Sequence, residues 1–283
     1  MKNAFTIDVE DWYQTLDFNF DIKDWCNFED RVENSTETIL DLLEKHNTKA
    51  TFFILGYIAK KHPTLVRKIV TKGHEIGSHG TWHKMVTLQT REEFKKNVLT
   101  SKKTIEDITG IGVQLYRSSS WSICQKTLWA LEILNELGFI CDSSIQPFKT
   151  PLSGMKNVSC DPFYPIINNK RLDLIEFPAT VLKFWKFRIP FSGGFYLRLI
   201  PYSILSKSMK CVNKNRQGMI YVHPWETDVE QPRLKLPLHI RAIHYTNLNK
   251  TTFKLDKLLN EFEFVPLGEL IKENNYISIS LDK

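Results

Sequence analysis

The feature that most constrains the fold is a repeated alternation of short apolar segments with segments of helical periodicity. Seven apolar segments are predicted to be strands: AFTID, KATFFILG, HEIGS, VQLYR, FICDS, LIEFPA and GMIYVHP. Between them lie predicted helices such as NSTETILDLLEKHN, with Asn34 and Glu37 at capping-box spacing. Another is TREEFKKNVLTSKKTIEDITG, capped by Thr90 with Glu93 and stopped by Gly110. This alternation predicts a parallel α/β fold.

Polar residues at the predicted strand ends favour a closed barrel over an open sheet. The residues at or just past those ends are Asp8, Glu10, His79, Arg117, Asp142 and His223. In a barrel all carboxyl ends form one ring-shaped mouth, whereas an open sheet gathers its site at one switch point. Five separate strand ends therefore favour a distorted (β/α) barrel of about seven parallel strands. We expect residues 1–283 to form one domain of this kind.

Two histidines and two acids have the spacing of a metal site. His79 and His83 are four residues apart, so both rings can converge on one side of a helical turn. Strand alternation places Asp8 and Glu10 on one face of their strand, with Asp11 on the other. One carboxylate with two imidazoles would form a catalytic zinc-type site, and a second carboxylate could act as general base. The plainer interpretation is a solvated strand end beside a chance histidine pair.

Two further strand-end residues suit acid–base chemistry. Arg117 follows VQLY and could hold a neighbouring carboxylate in its ionised form, although an arginine there could also pair at the surface. His223 precedes Pro224, which favours extended backbone for the histidine and would keep it at the rim of the mouth. His223 is therefore a candidate general acid.

Together these residues resemble the polysaccharide deacetylases, the NodB-homology domain of carbohydrate esterase family 4, over nearly the whole chain. The matching motifs are DVED, HGTWH, RSS and YVHPWE. The resemblance implies a barrel that hydrolyses an N-acetyl group on an amino sugar, a carbon–nitrogen bond other than a peptide bond. It implies Glu10, His79 and His83 as ligands of one divalent metal ion, with Zn²⁺ the expected one and Asp11 the alternative ligand to Glu10.

The resemblance also implies roles for the remaining candidates. Asp8 would be the general base, Arg117 its partner and His223 the general acid, while Asp142 would orient His223 or bind a sugar hydroxyl. Ser119 stands where the family has proline, which predicts a less rigid loop and a less well placed Arg117. The tryptophans nearest these residues in sequence are candidates for stacking on sugar rings, or for the core: Trp12, Trp82, Trp121 and Trp225.

Longer matches resemble the branch found in bacterial exopolysaccharide and surface-glycan clusters, which predicts an N-acetylated glycan, free or lipid-linked, as substrate. They are GFICDSSIQP, FSGGFYLRLIP and YVHPWETDVEQPRL, with HYTNLNKTTFKLDKLLNEFEFVPLGELI near the end. The N-terminus lacks the form of a signal peptide and the five cysteines form no C-x-x-C pair, so we expect a cytoplasmic protein. The alternative functions are a cyclic amide or imide hydrolase and a non-catalytic glycan-binding protein.

The basic residues are unevenly distributed. Eight of the 38 Lys and Arg residues lie between Val181 and Arg216, where no Asp or Glu occurs. An ordinary solvated segment is the plain explanation. The absence of acids favours an anionic partner, so we predict peripheral contact of residues 181–216 with an anionic inner membrane. No nucleic-acid-binding module is recognisable, so nucleic acid is not expected as a partner.

Overall fold

The structure is a computed structural model that describes residues 1–18, 20–150, 153–272 and 275–282. Its strands are β1 (Asn3–Val9), β2 (Thr51–Ile54), β3 (Glu75–Ser78), β4 (Leu115–Tyr116), β5 (Cys141–Asp142), β6 (Tyr164–Ile167), β7 (Lys170–Arg171), β8 (Ile175–Glu176), β9 (Val181–Phe184), β10 (Phe187–Pro190), β11 (Met219–Val222), β12 (Phe264–Val265) and β13 (Ser278–Ser280).

The helices lie mainly between the strands of the principal sheet. They are α1 (Val32–Lys45), α2 (Gly56–Lys61), α3 (Pro63–Thr71), α4 (Arg91–Thr109), α5 (Trp129–Glu136), α6 (Gly194–Leu199), α7 (Tyr202–Val212), α8 (Leu238–Tyr245), α9 (Leu248–Glu261) and α10 (Leu267–Lys272). Short 3₁₀ helices cover Trp12–Gln14, Ile22–Asn27, Val86–Leu88, Ser119–Trp121, Gln125–Thr127 and Pro224–Thr227. Among the described residues, no helix is both long and apolar enough to cross a bilayer.

The principal sheet confirms the predicted parallel α/β barrel class. Seven strands lie in the order β11-β1-β2-β3-β4-β5-β8, every neighbouring pair is parallel, and the sheet curls into a half-barrel. Each of the seven predicted strand segments overlaps one of these strands. β12 adds to the amino end of β1. The carboxyl ends of the strands therefore meet on one side of the molecule, as a shared mouth requires.

Strand β1 lies inside the sheet because it pairs with both β11 and β2. Every residue of β1 is buried, including the polar Thr6 and Asp8. A strand covered on both faces must be mainly apolar, and buried polar groups in it must find partners. The position of Asp8 in this strand therefore predicts a specific partner inside the mouth, which the site geometry identifies below.

Residues of the chain after β8 form hydrogen bonds with β11, the strand at the other edge of the half-barrel. The hydroxyl of Thr180 accepts a 2.8 Å hydrogen bond from the Met219 amide, and the Ser192 carbonyl accepts a 3.0 Å bond from the Tyr221 amide. A Cβ atom on Gly193 would lie 2.3 Å from the Tyr221 ring and 2.4 Å from its carbonyl oxygen. This contact therefore requires glycine at position 193.

The local sequence correctly predicted the capping residues of helix α4 but not those of helix α1. The predicted capping box of Thr90 and Glu93 is confirmed at α4, and Gly110 ends that helix with a φ of 70°. The predicted box at Asn34 is wrong, because α1 begins earlier, at Val32, and has no capping side chain of its own. Asp11, two residues after the end of β1, supplies the cap, since its Oδ2 accepts hydrogen bonds from the amides of Arg31 and Val32.

The second half of the chain adds elements that the periodicity did not predict. β9 and β10 form an antiparallel hairpin, and β13, β6 and β7 form a separate three-stranded sheet. The helices α6, α7 and α8 were also missed. α6 has six residues and α8 has eight, which is too short for a clear helical periodicity. α7 and α8 begin directly after Pro201 and Pro237.

Replacing Asp11 with alanine should lower the free energy of unfolding by about 1–3 kcal/mol, because two helix-start amides lose their buried acceptor. Asn34→Ala is the matched control. Asn34 is exposed inside α1, so alanine should be neutral or slightly stabilising. Urea unfolding of both variants measures the difference, and a greater loss in the Asn34 variant would restore the sequence-based capping box.

Candidate active site

The mouth of the half-barrel brings together five of the six strand-end residues that the sequence singled out. Asp8 and Glu10 lie at the end of β1, and His79 follows β3 directly. Arg117 follows β4, and His223 follows β11. Arg117 is wholly buried, and the two acids are 2% exposed. Charged groups this deeply buried need partners, and the partners define the chemistry of the site.

Glu10, His79 and His83 form a cluster that could hold one metal ion. One ligand atom of each residue lies within 4.8 Å of the others, and all three side chains are buried. The Nε2 atom of His83 is 2.7 Å from Oε2 of Glu10, yet this oxygen has no hydrogen-bond partner among the described residues. An unsatisfied carboxylate oxygen beside two imidazoles is the donor set that a zinc-type ion takes.

The histidine pair converges through a turn and not through the helix that its spacing predicts. Residues 79–83 are non-helical, with a φ of 74° at Gly80 and of 41° at His83. Asn97 of α4 fixes the turn, because its side-chain oxygen accepts from the Thr81 amide and its carbonyl accepts from the Thr81 hydroxyl. The left-handed backbone at both positions brings the rings to a centroid distance of 5.3 Å.

The surroundings prepare the three ligands for a cation. Nδ1 of His79 donates a 2.8 Å hydrogen bond to the carbonyl of Arg117, which leaves its Nε2 lone pair for a metal. Burial lowers the pKa of His79 to about 4, so the ring is neutral. Burial raises the pKa of Glu10, but the nearby His83 and His223 outweigh burial and hold it well below its usual range. A neutral His79 and an ionised Glu10 are the protonation states that metal binding requires of these two residues.

Asp8 is held by a buried arginine. Arg117 donates from Nη1 to Oδ1 of Asp8 at 2.6 Å and to the Thr6 hydroxyl at 2.9 Å. Its other nitrogens reach the carbonyl and hydroxyl of Ser143, and its guanidinium lies over the rings of Phe53 and Trp121. The second oxygen of Asp8, Oδ2, lies 3.9 Å from Nε2 of His223 and is not engaged by the arginine.

The loop after Arg117 does not show the looseness expected from Ser119. The Ser118 amide donates to the Ser144 hydroxyl, and the Ser118 hydroxyl accepts from the Ser122 amide. Ser120 and Trp121 adopt left-handed backbone, with φ values of 53° and 52°. The loop is therefore fixed by serine hydrogen bonds in place of the ring of a proline.

His223 is oriented by an acid that the sequence reasoning missed. Its Nδ1 lies 2.9 Å from Oε2 of Glu226, and Oε1 of Glu226 accepts a 2.6 Å bond from Arg198 of α6. Burial lowers the pKa of His223, but the charges of Glu10, Glu226 and Asp8 raise it overall to about 9. The ring is therefore protonated at neutral pH, with Nε2 facing the carboxylates of β1.

The orienting role expected of Asp142 thus falls to Glu226. Asp142 is wholly buried and bonds to the Ser144 hydroxyl, opposite Glu176 in the β5–β8 pairing. Burial raises the pKa of both acids, so the pair keeps a proton. The available signal for Glu226 was its position three residues after His223, which matches a capping box at Pro224–Thr227.

Of the four tryptophans proposed to stack on sugar, one is accessible. Trp82 is 43% exposed, whereas Trp12, Trp121 and Trp225 are buried. The indole N–H of Trp225 donates a 3.0 Å hydrogen bond to Oε1 of Glu10. Trp225 therefore helps to position a candidate metal ligand and packs against the ring of His223.

Comparisons with known proteins agree with this geometry. Residues 23–139 match the family model described as "Polysaccharide deacetylase", and residues 143–272 match the model described as "Domain of unknown function (DUF3473)". Residues 23–139 are therefore similar to the polysaccharide deacetylase family over that part of the chain. Asp8 and Glu10 precede this match and His223 follows it, so the mouth of the half-barrel combines residues from three parts of the chain.

Curated relatives match in short segments. The peptidoglycan-N-acetylglucosamine deacetylase PgdA of Listeria monocytogenes is 39% identical over 84 residues, which is 29% of this chain and 18% of the relative. A peptidoglycan-N-acetylglucosamine deacetylase of Bacillus cereus is 34% identical over 98 residues, covering 34% and 36% of the two chains. The chitooligosaccharide deacetylase of Sinorhizobium fredii is 36% identical over 70 residues, covering 25% and 33%. The match therefore spans well under half the length of each relative.

Solved structures share the fold over nearly the whole chain. A protein from Mycobacterium smegmatis, assigned as a polysaccharide deacetylase, superposes with a TM-score of 0.64 at 18% identity, covering 96% of this chain and 89% of that one. BA3943 of Bacillus anthracis, a pseudoenzyme of carbohydrate esterase family 4, gives a TM-score of 0.52 at 15% identity, covering 98% and 66%. At these identities the similarity establishes the fold alone.

Removing either histidine of the cluster should weaken binding of a divalent ion by about two orders of magnitude or more, because two ligands cannot replace three. His79→Ala, His83→Ala and Glu10→Gln should each show this loss in titrations with Zn²⁺ and in elemental analysis. Asp11→Asn is the matched control and should keep the ion, since the Asp11 carboxylate is engaged by backbone amides. A metal content equal to that of the wild type in all three cluster variants would refute the site.

Proposed function

We propose that this protein is a metal-dependent N-deacetylase that releases acetate from an amino sugar of a bacterial surface polysaccharide or exopolysaccharide, or of its lipid-linked precursor. The observation that carries the proposal is one buried arrangement: the Glu10, His79 and His83 cluster beside an arginine-paired Asp8 and a protonated His223. The substrate class rests on the relatives, which are named as deacetylases of peptidoglycan and of chitooligosaccharide.

The chain fits a divalent ion at Glu10, His79 and His83. Deacetylases of this family are metal-dependent, and the unsatisfied Oε2 of Glu10 gives a cation a place in this chain. Such an ion would supply Lewis acidity, lowering the pKa of water and polarising the acetamide carbonyl. We propose Zn²⁺, because two imidazoles with one carboxylate is a ligand set that zinc commonly takes.

Asp8 and His223 divide the proton transfers between them. Arg117 fixes Oδ1 of Asp8, so Oδ2 is the oxygen that accepts a proton from the attacking water. The water oxygen bonds to the acetamide carbon, and the carbon–nitrogen bond then breaks. Nε2 of His223 gives its proton to the departing nitrogen, because an amine leaves only when protonated. Acetate and the free amine of the sugar are the products.

The same reasoning explains why Glu226 is a positioning residue. Glu226 does not face the carboxylates of β1; it contacts the opposite ring nitrogen of His223. Its pKa is raised by burial but lowered more by Arg198 and His223, to about 2, so it is ionised. An ionised Glu226 fixes the ring orientation and favours the protonated form of His223.

We also propose that the protein works in the cytoplasm, at the inner face of the membrane where surface glycans are assembled. The support is the cysteine chemistry: Cys141 and Cys160 are buried as free thiols, and the remaining three are also unpaired. Unpaired thiols are typical of a reducing compartment. Fractionation of cells expressing the tagged protein tests this location.

Asp8→Asn should lower kcat by about two to four orders of magnitude, because the amide cannot accept the proton of the attacking water. The Zn²⁺ content should stay unchanged. Glu10→Gln provides the contrast, since it should lose both metal and activity. The assay measures acetate release from N-acetylglucosamine oligomers, with succinimide as a cyclic imide substrate. Full activity of Asp8→Asn would show that Asp8 is not the general base. A metal-loaded wild type that cleaves neither substrate would favour the glycan-binding alternative.

Glu226→Gln should lower kcat by about 10–100-fold, the usual effect of losing a partner that orients a reactive histidine. The alkaline limb of the pH–kcat/KM profile should move to lower pH. The sign follows because removing a negative charge beside the imidazolium disfavours the proton and lowers the pKa of His223. Glu226→Asp should restore part of the profile. If kcat falls but the alkaline limb of the pH–kcat/KM profile stays at the same pH, Glu226 contributes only to packing.

A further inference from the structure

The hairpin of β9 and β10 separates apolar from basic side chains. Its register pairs Phe184 with Phe187, Lys183 with Arg188 and Leu182 with Ile189. Successive side chains of a strand point to opposite faces, so the phenylalanine pair shares a face with the leucine–isoleucine pair, and the basic pair lies on the other. The turn carries Trp185, whose φ is 55°.

The apolar side chains of this hairpin are exposed to solvent, whereas both residues of its basic pair have partners in the protein. Nη1 of Arg188 donates to the Pro147 carbonyl at 2.6 Å, and Nζ of the half-exposed Lys183 lies 3.6 Å from Asp161. The other face and the turn are exposed, with relative exposures of 63% for Phe184, 94% for Trp185, 69% for Phe187 and 42% for Ile189. Contiguous exposed apolar side chains of this kind mark a contact surface.

Within the basic segment 181–216, the structure leaves three exposed lysines that are free to contact an anionic surface. Arg198 and Lys210 pair with Glu226 and Glu261, and Arg216 reaches Asp161 and the carbonyls of Cys160 and Val181. Lys186, Lys207 and Lys214 are exposed and have no acidic partner within the described ranges. Lys186 is in the hairpin turn, and the other two are on or just after α7, which packs against β9.

We propose that the tip of this hairpin, Phe184, Trp185, Phe187 and Ile189, inserts into the interface of an anionic lipid bilayer while Lys186, Lys207 and Lys214 contact its head groups. The chemistry fits: aromatic side chains favour the interface between water and acyl chains, and lysines beside it are attracted by anionic lipids. The inference does not rest on the deacetylase function.

A lipid surface fits this tip better than a protein partner does. Four exposed side chains on a two-stranded hairpin do not by themselves reach the roughly 800 Å² per partner of a stable protein interface. Interfacial anchoring needs only a few inserted side chains together with electrostatic attraction. The absence of Asp and Glu between residues 181 and 216 removes the like-charge repulsion that an anionic surface would otherwise exert.

Co-sedimentation with vesicles tests the proposal on the full chain. The wild type should bind vesicles of equal parts phosphatidylglycerol and phosphatidylcholine at low salt, with weaker binding to pure phosphatidylcholine and at about 0.5 M salt. Phe184→Ser, Trp185→Ser and Phe187→Ser combined should weaken binding at least tenfold. Lys186→Gln, Lys207→Gln and Lys214→Gln combined should cause a similar loss, at roughly fivefold per side chain.

Matched controls separate this surface from general stickiness. Leu238→Ser removes a side chain that is 80% exposed elsewhere, and it should bind as the wild type does. Lys60→Gln, Lys103→Gln and Lys126→Gln remove three exposed charges outside the segment, and they should retain most of the affinity. Equal losses in the control and test variants would overturn the assignment, as would a wild type that does not bind the anionic vesicles.

Trp185 provides a direct readout of insertion. Brominated lipids should quench part of the tryptophan fluorescence of the wild type, and Trp185→Phe should bind with similar affinity but lose this quenching. Light scattering without lipid examines the alternative occupant, a second copy of the chain. A dimer that dissociates in the Phe184→Ser, Trp185→Ser and Phe187→Ser variant would overturn the lipid proposal, as would quenching that persists in Trp185→Phe.

Discussion

The buried guanidinium of Arg117 is the interaction on which the candidate site depends. Burying an arginine is costly unless its donors are all used, and here they reach Asp8, Thr6 and both oxygens of Ser143. Its backbone carbonyl meanwhile accepts from Nδ1 of His79. One residue therefore orients both the proposed base and a proposed metal ligand. A change in β4 that moved Arg117 would disturb the two functions together.

A second buried arginine serves the opposite wall of the mouth. Arg198 of α6 is 1% exposed; it donates to Glu226 and also to the carbonyls of Ile243, His244 and Thr246. Through Glu226 it acts on His223. Both the arginine and the histidine lie in the region that matches a domain of unknown function. This gives that region a physical role in the proposed reaction: it supplies the proton donor and the ion pair that holds it.

Features set by neighbouring residues could be predicted from the sequence, whereas contacts between residues far apart in the chain could not. Strand ends and the cap of α4 follow from patterns within a few residues, so Asp8, Glu10, His79 and Arg117 were identified with the correct neighbours. The cap of α1 was missed because Asp11 lies 20 residues before Arg31. Arg198 was counted only as one of the eight basic residues of 181–216 for the same reason, because no local pattern reveals a partner 28 residues away. The sequence showed residues 181–216 as a basic segment, whereas the structure shows that the exposed face of the β9–β10 hairpin is apolar.

The charges of the buried acids and arginines in the mouth are also related to one another. Burial raises the pKa of both Asp142 and Glu176, so the pair holds one proton between its two carboxyl groups and carries less negative charge, while Arg117 donates to Asp8.

On the other side Glu226 is neutralised by Arg198. Glu10 has no arginine or lysine partner among the described residues. His223, whose Nε2 is 3.7 Å from Oε1 of Glu10, is already shared with Glu226. The positive charge that stabilises the ionised Glu10 therefore comes from neighbouring histidines. A divalent cation bound to the three side chains of the cluster would add to that charge, which is why the electrostatics of the chain and the geometry of the cluster support the same site.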